Sequence, residues 1–546
     1  MTATVSRRPQ PRLQAGRGGF GSVLRAEWTK FRSVRGWSVA LAAAALLTAG
    51  VGLWAAAGPT NLCGPTSPTA PAPAGPGGAG GGGQPCKNSI PTGPGGEAVD
   101  DSFYFAGQPL DGDGTVTAQV TSLTGSYSPG GGIAPGPDPE AGFVPGVQPW
   151  AKAGVIVKAT LRPGSAYAAV MITGAHGVRM QDDYTSDTAG LPGAVSAGAP
   201  RWLRLKRSGD TLTGYDSADG RHWTEIGAVS LAGLPATVQA GLFVTSPARV
   251  SGQGADQNAA PSAASAVFTQ VSLAGARSGG RWSGGNVGPG NGGSGYPSVP
   301  GKFHRAGSTF TITGSGDIAP AVPGGVLIPG ETIAYTLNGV FAGLIVAIVL
   351  GTLFITGEYR RGLIRTTLAA SPRRGQVLAA KAIVIGGAMF TAGLVGAVIP
   401  VSLGPRLLRE HGNYVFPVDA LTEIRLIAGS AALLAVAAVF AVALGVILRH
   451  GAGPVTAVIA LIVVPFFFSS ALAVLPASVA EWLLRVTPAA GFAIQQSVPA
   501  YAQVSYPYTP QYGFYPLAPW VGFAVLCAWT AAALALAYVL LRRRDA

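Results

Sequence analysis

The densest chemistry in the chain lies between Gly357 and Lys381, where Arg360, Arg361, Arg365, Arg373, Arg374 and Lys381 stand against one acid, Glu358. Tyr359, Thr366-Thr367 and a Ser371-Pro372 break complete the segment. Fixed positive charges with a single carboxylate can pair with another surface. Elsewhere reactive constellations are equally scarce. His176, His222 and His304 lack metal-ligand spacing. No two carboxylates stand out as acid and nucleophile, and no G-x-x-x-x-G-K-[ST] phosphate cradle occurs. Trp202 and Trp223 could stack on sugar rings, although tryptophans within strands more often fill a core. Cys63 and Cys86 bracket a Gly/Pro-rich stretch, where a disulfide suits an oxidising compartment. Cys527 sits in an apolar run and reads as a small apolar residue. No catalytic constellation stands out.

Composition shows what must position these groups. Charged residues are 11% and hydrophobic residues 48% of 546, alongside 80 Gly and 43 Pro. An even mixture of that kind is neither a soluble globule nor a disordered chain, so the sequence must be segregated. The net charge of +13 is segregated as well. Its excess lies in residues 1–36, in 357–381, at Arg449 and at Arg542-Arg543-Arg544, always beside apolar runs. That is the positive-inside pattern of a membrane protein and excludes a nucleic-acid-binding face.

Six apolar runs are long enough to cross a bilayer: Trp37–Ala57, Thr332–Thr356, Ala382–Leu403, Leu426–Leu448, Pro454–Leu475 and Ala518–Leu541. Placing the basic segments in the cytoplasm orients all six consistently, as a multi-pass plasma-membrane protein with both termini inside. Ala55-Ala56-Ala57 mimics a signal-peptide cleavage site, but the apolar run and its basic leader are too long for one. No run holds an ionisable residue in its interior, which argues against an ion-driven carrier.

Residues 58–331 then lie outside. A Gly/Pro-rich linker, 58–96, precedes short β-like runs with turn signals between them. Strands are expected at Thr115–Leu123, Gly154–Ala159, Tyr167–Thr173, Arg201–Arg207, Thr211–Asp216, Trp223–Val229, Val238–Thr245 and Ala266–Leu273. Alternation in Trp202-Leu203-Arg204-Leu205-Lys206 points Leu203 and Leu205 to one face. This predicts a β-sandwich over 97–274. A Gly-rich linker and a β segment follow in 275–331; residues 300–320 either complete the sandwich or begin a truncated repeat.

Two resemblances sharpen these expectations. Asp113-Gly114-Thr115-Val116, Trp150-Ala151-Lys152-Ala153-Gly154 and Arg201-Trp202-Leu203 through Asp219-Gly220-Arg221-His222-Trp223 resemble concanavalin-like (laminin-G-like) jelly-roll modules. Many of those bind glycans, which implies an extracellular glycan partner with Trp202 and Trp223 as contacts. The segment Gly357-Glu358-Tyr359-Arg360-Arg361-Gly362 through Ser371-Pro372-Arg373-Arg374 resembles the cytoplasmic loop after the second span of ABC-2-type permeases, in an actinobacterial-like form. These are the membrane subunits of ATP-binding-cassette transporters. A loop that only set topology would need the arginines alone. Leu24-Arg25-Ala26-Glu27-Trp28-Thr29-Lys30-Phe31 is similar to the family's interfacial elbow helix, and Glu481–Gln496 to its short outer helices.

The family implies an α-helical polytopic membrane protein of six transmembrane helices, here with an inserted extracytoplasmic all-β jelly-roll sandwich. Span one is 37–57 after the elbow segment 1–36, and 332–546 holds the other five. The chain would be a permease and not an enzyme. Glu358, Tyr359, Arg360, Arg361, Thr366, Ser371, Pro372, Arg373 and Arg374 would couple it to a separate ATPase subunit, with Glu27, Trp28, Lys30 and Phe31 in the elbow. No cofactor is expected in this chain; ATP and Mg would belong to the partner. A permease homo- or heterodimer and the lipid bilayer are the other partners, and export is the implied direction. The alternative is a glycan-binding or sensory protein whose spans only anchor the sandwich. A membrane enzyme finds no acid/base or metal cluster to support it.

Overall fold

The computed structural model describes residues 19–60, 62–63, 84–85, 90–129, 140–251, 258–275, 281–288, 299–323, 330–363, 366–367, 373–449, 452–470, 475–504 and 508–543. Six helices among these are long and apolar enough to span a membrane: Arg35–Ala57, Ile333–Arg360, Arg374–Glu410, Ala420–Leu448, Ala452–Ser470 and Pro519–Arg543. They are called spans one to six. Each contains most of the corresponding apolar run, and several run further, because a helix continues past the hydrocarbon core until something stops it. Span three starts at Arg374 instead of Ala382 and so takes in Lys381, which is fully buried. The apolar runs themselves hold no ionisable residue, but the longer helices do, Glu358, Arg406 and Arg425 among them, and Lys381 is the one that is fully buried. Pro400 and Pro405 fall inside the same helix without ending it. In span five, Ile459–Val463 is a π-helical turn ahead of Pro465. Proline has no N–H to donate back along the helix, and a widened turn absorbs that gap.

Small residues let the spans approach closely. At Gly351 in span two, a Cβ would lie 2.3 Å from the Ala438 carbonyl oxygen of span four. Ahead of span one, the helix Phe20–Ser33 breaks at Val34, whose backbone is extended (φ −95°, ψ 104°). A separate helix thus precedes span one in the segment expected as the elbow, and it is called the elbow below.

Between spans one and two lies a two-layer antiparallel β-sandwich. Among the described residues one sheet has seven strands, in edge-to-edge order Ser186–Ala189, Val178–Asp182, Tyr167–Thr173, Lys152–Lys158, Thr237–Thr245, Phe103–Asp111 and Ser283–Val287. The other runs Thr224–Ser230, Thr211–Ser217, Arg201–Ser208, Gly114–Tyr127, Ser262–Gly275, Thr309–Gly314 and Lys302–Ala306, with Val144–Pro145 beside Gly114–Tyr127. Leu203 and Leu205 point inward and meet Val155, Val170 and Leu242 of the facing sheet. Residues 300–320 complete this sandwich: Thr309–Gly314 pairs with Ser262–Gly275, and Ile318–Pro320 pairs with Val99–Asp101. The sandwich therefore extends past 274.

The seven-stranded sheet is covered on both faces. Its second face carries Phe103, Phe105, Ile156, Tyr167 and Phe243, roofed by Val99, Tyr184 and Ile318. Double burial removes the alternation that marks a strand, which is why Phe103–Asp111 escapes sequence reading. Pro109 lies beyond the stretch paired with Ser283–Val287, where that side of the strand is an edge and needs no N–H.

The sandwich rests on one end of the helices. Ala98, Ala321 and Val322 pack with Phe416, Val498 and Phe514. Gln503 Nε2 donates to the carbonyl oxygens of Tyr184 (3.1 Å) and Thr185 (3.2 Å). Gly330–Glu331 pairs with Tyr414–Val415. Cys63 lies in a two-residue strand paired with Gln84–Pro85. Cys86 is outside the described residues, and so is the expected disulfide.

Candidate functional site at the basic end of the helices

The end opposite the sandwich gathers the elbow helix, the end of span two and the start of span three. Helical spacing selects the participants. Glu27 and Phe31 are four residues apart on the elbow, as are Phe354 and Glu358 on span two, so each acid lies beside an aromatic ring on one face. Phe31 packs edge-on against Phe354 (ring centroids 5.7 Å) and stacks on Trp37 (6.0 Å). This triangle holds the elbow against spans one and two.

Behind it sits Lys381. Its ammonium donates to Glu27 Oε2 and to Glu358 Oε1, both at 2.7 Å, and lies 4.7 Å from the Phe354 ring centre. Lys30 Nζ reaches Glu27 Oε1 at 2.8 Å, Thr367 Oγ1 at 3.3 Å and Glu358 Oε1 at 3.5 Å. Burial opposes charge on Lys30, but the two carboxylates outweigh it and hold its ammonium above the ordinary lysine value. Two acids and two bases thus join three elements in a cluster of balanced charge. Desolvated charges persist only when paired in this way.

The residues expected to couple to an ATPase separate into two groups. Glu358 turns inward, bound by Lys381 and Lys30. Arg360, Arg361 and Arg373 are exposed, as is Thr366, whose hydroxyl donates to the Leu363 carbonyl. Tyr359 is half-buried, with the Arg449 guanidinium 5.4 Å from its ring centre. Arg374 turns toward span six and donates to the Leu541 carbonyl. Ser371 and Pro372 lie outside the described residues. In the elbow, Glu27 and Phe31 are buried whereas Trp28 is about half exposed, at 48%. Lys381, named in the sequence only as one basic residue of the segment 357–381, is the buried centre of this cluster. The available signal was a lone lysine seven residues after Arg374, on one helical face with it in an otherwise apolar run.

Trp202 and Trp223 lie on the outer face of the second sheet. Trp202 packs on the turn at Gly220, where a Cβ would come within 2.6 Å of the indole. Trp223 is covered by the Arg204 guanidinium, 3.7 Å from the ring centre. His222 pairs with Asp219 in the same turn (2.6 Å), and His176 stacks on Trp150. His304 lies on the edge strand Lys302–Ala306.

Comparison with solved structures finds slight likenesses. A functionally unknown protein from Saccharomyces cerevisiae is 14% identical over 36% of this chain and 86% of its own, with a TM-score of 0.22. Scytalido-glutamic peptidase with a transition-state analogue inhibitor is 13% identical over 39% of this chain and 98% of its own, at 0.23. The GH43 protein BlXynB from Bacillus licheniformis is 12% identical over 30% and 27%, at 0.18. Comparison with curated proteins gives no match. The family model described as ABC-2 family transporter protein matches residues 251–546, more than half of the chain and all of spans two to six. By that match, and with six apolar helices joined at a basic end, the chain belongs to the ABC-2 family of transporters.

Proposed function

We propose that this permease subunit works as an exporter driven by a separate ATPase, which docks on the basic end beside span two. Arg360 and Arg361 support this reading most directly: they are exposed at the end of a membrane helix, while Glu358 next to them is held inward. An acidic groove on the ATPase would meet the two guanidinium forks, with ATP and Mg bound in the partner. Motion there would pass through Glu358 and Lys381 to span three and the elbow. Two permease chains would enclose the pathway, with the sandwich over its outer end.

The test replaces charge geometry without replacing charge. Arg360→Lys with Arg361→Lys keeps the positive end but loses bidentate pairing. A Walker-motif ATPase co-purifying with the full-length chain is expected to fall by about tenfold, roughly one bidentate contact. Unchanged recovery and unchanged ATP hydrolysis would refute the docking surface.

The orientation has its own test. In a Cys63→Ser, Cys86→Ser and Cys527→Ser background, a cysteine at Glu140 is expected to react with an impermeant maleimide on intact cells. A cysteine at Ala370 is expected to react only after lysis. The reverse pattern would invert the topology.

A further inference from the structure

Between the first turns of span three and the last turns of span six lies a crevice of about 840 Å³. We propose that it binds a phospholipid with an anionic headgroup, the phosphate at the arginines and an acyl chain along the wall below. The mouth carries Arg373, Arg374 and Arg542, and no acid is among its lining residues. Arg374 ties the two helices together through the Leu541 carbonyl, and the Arg542 guanidinium lies 5.0 Å from the Tyr538 ring centre. Tyr538 closes one side so tightly that only a glycine fits opposite: a Cβ on Gly375 would lie 2.7 Å from its ring.

Deeper in, the lining changes to Leu378, Ala379, Ala382 and Leu534. From Arg374 to Ala382 a helix rises about 12 Å, the step from headgroup level into the acyl region. Leu536, Tyr538 and Val539 on span six are exposed beside it, so the crevice borders the surface that faces lipid. Basic pockets between spans are the form that headgroup recognition takes at a membrane surface. An acidic protein loop would match the arginines but leave the apolar wall uncovered. The site does not depend on the ATPase reading.

The test uses the full-length chain in detergent, with native mass spectrometry of bound dioleoyl phosphatidylglycerol against dioleoyl phosphatidylcholine. Two basic groups at a membrane surface predict about a thirtyfold preference for the anionic lipid. Arg373→Gln with Arg542→Gln is expected to remove the preference, whereas the Lys pair at the same positions retains it, which separates charge loss from misfolding. Ala382→Trp fills the apolar wall and is expected to weaken binding of the anionic lipid with all three arginines in place. Glycerol 3-phosphate is expected not to compete. Equal binding of both lipids, a preference that survives the Gln pair, or competition by glycerol 3-phosphate would overturn the proposal. So would loss of ATPase co-purification in the Gln pair with lipid preference intact, since the crevice would then hold an acidic protein surface.

Discussion

Lys381→Ala is expected to destabilise the full-length chain by about 3–5 kcal/mol, the usual cost of stripping one partner from a buried charge cluster. The side chain is fully buried and binds Glu27 and Glu358 at 2.7 Å each. Without it, two carboxylates face each other with only Lys30 between them, and Lys30 is nearly half exposed, at 45%. Three elements lose their common partner together, so the elbow should detach from spans two and three. Thermal unfolding in detergent, with proteolysis within residues 19–34, reads both effects. Rescue separates charge from packing. The set Glu27→Gln, Glu358→Gln and Lys381→Met leaves only Lys30 charged, and that ammonium is nearly half exposed; it should recover most of the loss, because neutral replacement of buried ions is often tolerated. A change below about 0.5 kcal/mol in Lys381→Ala, the range of ordinary surface substitutions, would show that this cluster does not hold the elbow.

The second large effect is expected at Asp101. Its carboxylate and the Lys158 ammonium are 2.8 Å apart with both side chains fully buried. Asp101 Oδ2 also accepts from the Tyr184 hydroxyl (2.7 Å) and the Gly164 amide (2.8 Å). Burial pulls the Lys158 ammonium below the ordinary lysine value, although Asp101 opposes the shift, so the lysine depends on that carboxylate to stay charged. Asp101→Ala is therefore expected to cost the sandwich about 3–5 kcal/mol, roughly 10 °C in the melt of a domain this size. The isolated fragment 97–322 provides the measurement. Asp101→Asn, which still accepts from Tyr184 and Gly164, should lie between the two. A consequence for the whole molecule follows from Tyr184. Its φ of 66° places it in the left-handed region, and its carbonyl receives Gln503 from the helical part. Its hydroxyl keeps Lys158 and the Ser165 carbonyl as partners but loses the carboxylate, which should loosen the seat of the sandwich on the spans. An Asp101→Ala fragment that melts as the parent does would refute the account.

Much of this was legible in the chain. Six spans and a β-sandwich follow from local properties, since a helix in lipid must be apolar over its whole length and a half-buried strand must alternate. Tyr167–Thr173 occurs where its residue types place it, and a helix forms at Phe20–Ser33, in the segment expected as the elbow. The misses share one cause. Phe103–Asp111 is buried on two faces, Lys158 looks like a surface lysine on paper, and Lys381 looks like one more charge guiding topology. Each is defined by partners hundreds of residues away or on another element.

By itself, then, the sequence determined the membrane class, the number of spans and the kinds of residue at the basic end, because hydropathy and charge act over a few turns of chain. Only the tertiary structure decided which charges face inward. Glu27, Glu358 and Lys381 meet because the elbow folds back and span three begins early. Arg360 and Arg361 remain exposed because the end of span two points them past that cluster. A buried ion is stable only with its counter-ion in place, and no local pattern states where that counter-ion will come from.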